Sequence, residues 1–195
     1  MHVTMRTLQG VLSVCLLASL PGLASAQAAE KPAKPAVGTL QPPAQIYGKL
    51  LSNMEKEFVD LADAMPEDKY SFVPTQGNFE KVRSFGDQVK HVAEANWYFW
   101  GSATMSDDQL KAKSDALAKL TTKADIMQAL RDSFAEAHKV VDGITPENAF
   151  KTTAHGTLGG MTAFGLAHMM DHYGQLVVYL RMNGIVPPAS RGGNM

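Results

Sequence analysis

His168 and His172 stand four residues apart in the stretch LGGMTAFGLAHMMDHYGQLVVYLRMN, Leu158 to Asn183. On a helix that spacing puts both imidazoles on one face. Met161, Phe164, Gly165, Leu176 and Tyr179 share the face at steps of three and four. The pattern therefore places both rings in the apolar core of a bundle rather than in water. Two buried imidazoles without partners are costly, and one divalent ion satisfies both. H-x-x-x-H is also a metal-ligand spacing. Asp171, beside His172 and three residues from His168, is a candidate for orienting an imidazole N–H or accepting a proton, with a salt bridge as the alternative. Gln175, one turn beyond His172, is placed either to bond a ligand water or to bond a neighbouring helix. No glutamate follows the first histidine as in H-E-x-x-H, which counts against peptide hydrolysis.

Helices must hold these side chains. The first is predicted from Ala44 to Met65, with the stripe Tyr47, Leu50, Met54, Phe58, Leu61 and Met65, ending before Pro66. Tyr70 to Arg83 reads as an ordered connection, because Tyr70, Phe72, Val73 and Phe79 would otherwise expose apolar area. The second helix starts at the N-cap Ser84 and runs to Trp100, burying Phe85, Val89, Val92, Asn96 and Phe99. His91 lies at the border of that stripe, beside Gln88 and Ala95. Taken alone it reads as a surface or hydrogen-bonded core histidine. Trp97, Tyr98 and Trp100 read as core or dimer contact.

Asp107 to Leu120 is predicted as a short surface helix. The third long helix starts at Thr122, with Asp125 completing a cap, and stops at Gly143. Its stripe is Ile126, Leu130, Phe134, Ala137 and Val141; His138 lies off it and reads as non-functional, and His155 as an exposed loop residue. No alternating run is long enough for a sheet. The fold class is all-α, a four-helix bundle with long inter-helix connections over residues 44–188.

The ends of the chain carry a different signal. Arg6, the apolar run Val11 to Leu20, the breakers Pro21 and Gly22 and the small residues Ala24-Ser25-Ala26 describe a secretory signal over residues 1–26. The run is too short to span a bilayer, so stable membrane insertion is not expected after cleavage. Cleavage removes Arg6, His2 and Cys15, so basic residues fall from 18 to 17 while acidic residues stay at 19. No cysteine then remains, which excludes disulfides, thiolate ligands and a cysteine nucleophile. Residues 27–43, with prolines at 32, 35, 42 and 43, read as a flexible tether, and 189–195 as a disordered tail. Export to a periplasm or full secretion follows. The formal net charge of −1 on the whole chain argues against a nucleic-acid partner.

Three stretches together resemble the DinB-like (DNA-damage-inducible) family. They are MPEDKYSFVPTQG at Met65 to Gly77, RSFGDQVKHVAEANWYF at Arg83 to Phe99, and GLAHMMDHYGQLVVYLRMNGIVPP at Gly165 to Pro188. The resemblance covers about residues 43–188. It implies one metal-ligand histidine on the second helix and two on the fourth, which match His91, His168 and His172. It also implies a bundle that is not up-down-up-down, a frequent homodimer, and a divalent transition ion such as nickel or zinc. Some members are thiol-dependent transferases and others resemble hydrolases. An exported, tethered chain departs from the many cytoplasmic members, which sets cytoplasmic low-molecular-weight thiol chemistry in doubt.

Three neutral imidazoles suit zinc, nickel, iron or copper rather than magnesium or calcium, and manganese is a further candidate. Three protein ligands leave positions open for water, which a metal acidifies to a pKa near 7. Three readings stand at this point. One is a metal-dependent hydrolase or transferase acting on a small molecule. The second is a metal-binding or stress-response module without turnover. The third is a metal-free structural bundle with core histidines, against which the resemblance weighs.

Overall fold

The computed structural model describes residues 34–192. The signal segment read at 1–26 lies outside the described residues, as does the first part of the tether. The chain divides into two units, Met1–Thr39 and Leu40–Met195. Of the first, only residues 34–39 are described, with a turn closed by Thr39 N–H to the Ala36 carbonyl at 3.1 Å.

The second unit is all-α. Its helices are α1 (Pro43–Ala64), α2 (Phe85–Phe99), α3 (Asp107–Ala118), α4 (Lys123–Asp142) and α5 (Leu158–Met182). Each start has a local cause. Pro43 presets φ at the first position of α1. Ser84, Ser106, Thr122 and Thr157 cap the other four, each hydroxyl accepting a backbone N–H that would otherwise be orphaned. Among the described residues no helix is long and apolar enough to cross a membrane.

Packing arranges α1, α4, α2 and α5 as a ring. Helix α1 packs on α4 and α5, α2 packs on the same two, and α3 lies against α2. The consecutive helices α1 and α2 thus stand across the ring from each other, as do α4 and α5. The long link between α1 and α2 must cross the bundle end. It is pinned there by Tyr70 O–H donating to the Ala62 carbonyl at 2.8 Å, and by the Phe85 and Gly86 N–H groups donating to Phe72 and Tyr70 carbonyls. The expected ordered connection is therefore present, although Phe79 stays partly exposed.

The core sits where the ring closes. Phe58, Leu61, Phe85, Trp100, Leu130, Phe134, Met169 and Leu176 are fully buried in it. The expected stripes of α2 and α4 are buried throughout. Asn96 of α2 belongs there because its amide donates to Ser133 Oγ of α4 at 3.1 Å, and Ser133 donates on to the Leu130 carbonyl at 2.7 Å. Both polar groups are satisfied inside the core.

Three expectations are corrected. Leu50 is exposed and Leu51 takes its place in the core of α1. Phe164 is 61% exposed, because the buried face of α5 runs through Thr162, Gly165, Leu166 and Met169 instead. A small hairpin also forms where no sheet was expected. Strands β1 (Thr152–Thr153) and β2 (Gly156–Thr157) pair antiparallel across the turn Ala154-His155, and Gly156 opens β2 at φ +127°. After α5, Pro188–Ser190 form a 3-10 turn. Arg181 donates to Ser190 Oγ and Arg191 to the Val186 carbonyl, contacts that occupy residues the sequence reading left to a disordered tail.

Candidate metal centre

The three histidines come from two helices that pack side by side. His91 lies on α2, and His168 and His172 lie on α5. One glycine sets how closely those helices approach. A Cβ at Gly165 would lie 2.9 Å and 3.0 Å from Trp100 ring carbons and 3.3 Å from Phe99 Cβ. Only hydrogen fits, so α5 rests directly on the aromatic end of α2. Trp100 is held in turn by its indole N–H donating to Thr162 Oγ1 at 3.2 Å.

The imidazoles then converge. Ring centroids are 4.5 Å apart for His168 and His172, 4.9 Å for His91 and His172, and 5.2 Å for His91 and His168. One nitrogen from each can be chosen so that all lie within 4.8 Å of one another. His172 is buried, while His91 and His168 are half-buried. The group therefore sits at the rim of the bundle, closed on one side and open on the other. The expectation that both α5 histidines lie in the core holds for His172 alone. His168 faces the rim beside Phe99, whose ring is 5.3 Å away.

A chain of hydrogen bonds fixes which nitrogen His172 offers. Gln175 Nε2 donates to Asp171 Oδ2 at 3.0 Å, Gln88 Nε2 donates to Gln175 Oε1 at 2.8 Å, and Gln88 Oε1 lies 2.6 Å from His172 Nδ1. An amide oxygen only accepts, so Nδ1 carries the proton and Nε2 carries the lone pair. That lone pair faces His168 Nε2 at 3.2 Å. Nitrogens about 2.1 Å from a tetrahedral zinc stand roughly 3.4 Å apart, so the pair is spaced as two ligands of one ion. The donor set, three imidazoles with one tautomer fixed from behind, fits a divalent transition metal.

All three rings are held below the usual histidine pKa. For His172 burial is the first cause, followed by the neighbouring His168 and His91, and together they bring it to about 4. His91 is lowered by burial, then by the Arg83 charge and His168. His168 is lowered by burial, against a raising influence from Asp171. Neutral imidazoles are the form a metal requires.

Asp171 makes no hydrogen bond to an imidazole. It is exposed and reaches His172 only through Gln175 and Gln88. Gln175 bonds a neighbouring helix, the second of its two expected roles. His138 pairs instead with Glu55 of α1 at 2.6 Å, and His155 lies 3.6 Å from Asp107; neither joins the cluster.

Sequence reasoning passed over Gln88 and Glu94. A polar residue inside the run Phe85, Gln88, Val89, Val92 was the available signal for the first. Glu94 Oε2 lies 3.8 Å from His91 Nδ1, and its other oxygen accepts from Ser114 of α3, so α3 braces a carboxylate beside the centre. Next to His91 a cleft of about 500 Å³ opens, lined among others by Arg83, Lys90, Glu94 and Leu117.

Fold and site define an all-α protein in which two packed helices group three histidines as metal ligands are grouped. The family model of the DinB superfamily matches residues 50–176, and the chain belongs to that superfamily. No curated protein matches it.

Proposed function

We propose that the protein is an exported metal-dependent enzyme, a hydrolase or transferase acting on a small molecule, with His91, His168 and His172 as the ligands of one zinc or nickel ion. The observation that carries this reading is the Nε2 lone pair of His172, aimed at His168 Nε2 from 3.2 Å with its own proton committed to Gln88. In the ion-free chain that contact is itself a His168 Nε2–H to His172 Nε2 hydrogen bond. What a hydrogen-bonded pair leaves unexplained is the third imidazole, His91, with a nitrogen within 4.8 Å of both. A bound divalent ion supplies Lewis acidity and acidifies a coordinated water.

The chain's own groups do the rest. Gln88 orients His172, and Glu94 sits half-exposed beside His91, within reach of a group that gives up a proton in the cleft. Turnover is favoured over a non-catalytic metal-binding or stress-response role by that cleft, which reaches the cluster at His91, since an enzyme needs a space beside the metal for its substrate. We further propose a homodimer, supported by the exposed aromatics Tyr98 and Phe164, which both contact the Phe99 ring. Export rests on the signal features of residues 1–26.

Native mass spectrometry of the full chain, produced in a secreting host and recovered after export, tests all three. The expected mass is that of two subunits starting at Gln27, each with one transition-metal ion. Zinc or nickel addition that leaves a metal-free mass unchanged would overturn the metal centre. A monomer at micromolar concentration would overturn the dimer, and retention of residues 1–26 the export.

A further inference from the structure

The cleft beside His91 is lined by one exposed cation, Arg83, that no protein group pairs among the described residues. Lys90 Nζ is committed to Asp87 at 2.9 Å and to the Leu120 carbonyl at 3.3 Å, and Lys81 lies 3.6 Å from Glu80. The Arg83 side chain makes no hydrogen bond or ion pair among the described residues, although it lines the same cleft as His91. Its backbone is anchored, because Tyr179 O–H of α5 donates to the Arg83 carbonyl at 3.2 Å. A free guanidinium so placed is a fork for a planar oxyanion.

Resting on the metal reading above, we propose that Arg83 binds the carboxylate of the small molecule that enters this cleft and meets the metal centre. Asp87 and Glu94 in the same lining weigh against a second negative charge on the ligand while a bound divalent ion weighs for it. The choice of a carboxylate therefore rests on its flat, bidentate match to the guanidinium fork. Val82 and Leu117 supply apolar wall for the body of such a molecule. The substrate class is therefore a small carboxylic acid with an apolar portion.

Cobalt(II)-loaded protein provides the test, since the visible spectrum of cobalt reports its ligand sphere. Benzoate, benzamide and phenyl phosphate serve as probes. Benzoate is expected to shift the spectrum and to bind more tightly than the other two. Arg83→Gln is expected to raise the benzoate Kd at least tenfold while cobalt is still bound stoichiometrically, and Arg83→Lys to recover part of the loss. A cobalt spectrum that forms but ignores benzoate, or an Arg83→Gln protein that binds benzoate like the native one, overturns the inference and leaves the metal centre standing. Tighter binding of phenyl phosphate overturns the carboxylate class. If no cobalt spectrum forms at all, the metal centre falls and this inference with it.

Discussion

Gln88 determines which nitrogen His172 presents, and a residue three positions from His91 thereby controls a candidate ligand on another helix. Replacing it with Met fills similar space but removes the acceptor at Nδ1 and the donor to Gln175. The ring is then free to turn or to change tautomer. Loss of such an orienting partner typically weakens metal binding by about 10- to 100-fold, and that drop is expected for Gln88→Met in zinc competition against a chromophoric chelator. Gln88→Glu keeps the acceptor and should bind zinc more tightly than Gln88→Met. Native-like affinity in Gln88→Met would remove the relay from the account. The same assay should find His138→Ala unaltered, since His138 is occupied by Glu55 on the far side of α1 and α4.

At the scale of the element, the contact between α2 and α5 hangs on Gly165. Gly165→Ala puts a methyl group within about 3 Å of the Trp100 ring, and Trp100 is itself fully buried and tied to Thr162. The indole cannot move away cheaply. Overpacking of this kind costs about 1–3 kcal/mol, and here it also separates the helix that carries His91 from the one that carries His168 and His172. Gly165→Ala should therefore lower both the urea midpoint and zinc affinity. Loss of stability with unchanged affinity would show that the centre tolerates the shift. Such contacts explain what was legible from sequence. The stripes of α2 and α4 could be read because polar residues fill their other faces. Helix α5 carries apolar side chains nearly all round, among them Val178 and Met182, both exposed. Period alone then chose Phe164 for the inside. What turns α5 is Thr162, a polar residue buried because an indole 62 positions away donates to it. Gln88 was missed for the same reason: its partners, Gln175 and His172, lie 87 and 84 positions along the chain. In α1 the neighbours Leu50 and Leu51 are equally apolar, and only packing selects Leu51.

For the whole molecule, the histidine cluster lies at the contact between α2 and α5, one of the four that close the ring, where a bound ion would act as a clamp. Without metal, that contact is a proton-sensitive weak point. His172 titrates near 4 in the folded chain because burial opposes its charge, whereas an unfolded histidine titrates near 6.5. As pH falls, the unfolded chain takes up this proton first. Stability present above about pH 6.5 is lost progressively towards pH 4, and the urea midpoint of the metal-free protein should fall across that window, less so in His172→Asn. Zinc should oppose the loss. Bound only by the folded state, at a free concentration 100 times its Kd, it adds about 2.7 kcal/mol. For a chain of this size that corresponds to a rise in Tm of roughly 5–10 °C. The rise should be largest near neutral pH and shrink in acid, as protons compete for the imidazoles. It should vanish in His172→Ala and persist in His155→Ala, whose side chain faces Asp107 rather than the cluster. Calorimetry that finds the same Tm with and without zinc at pH 7.5, or an equal rise in His172→Ala, would place any zinc bound by this protein somewhere other than the junction of α2 and α5.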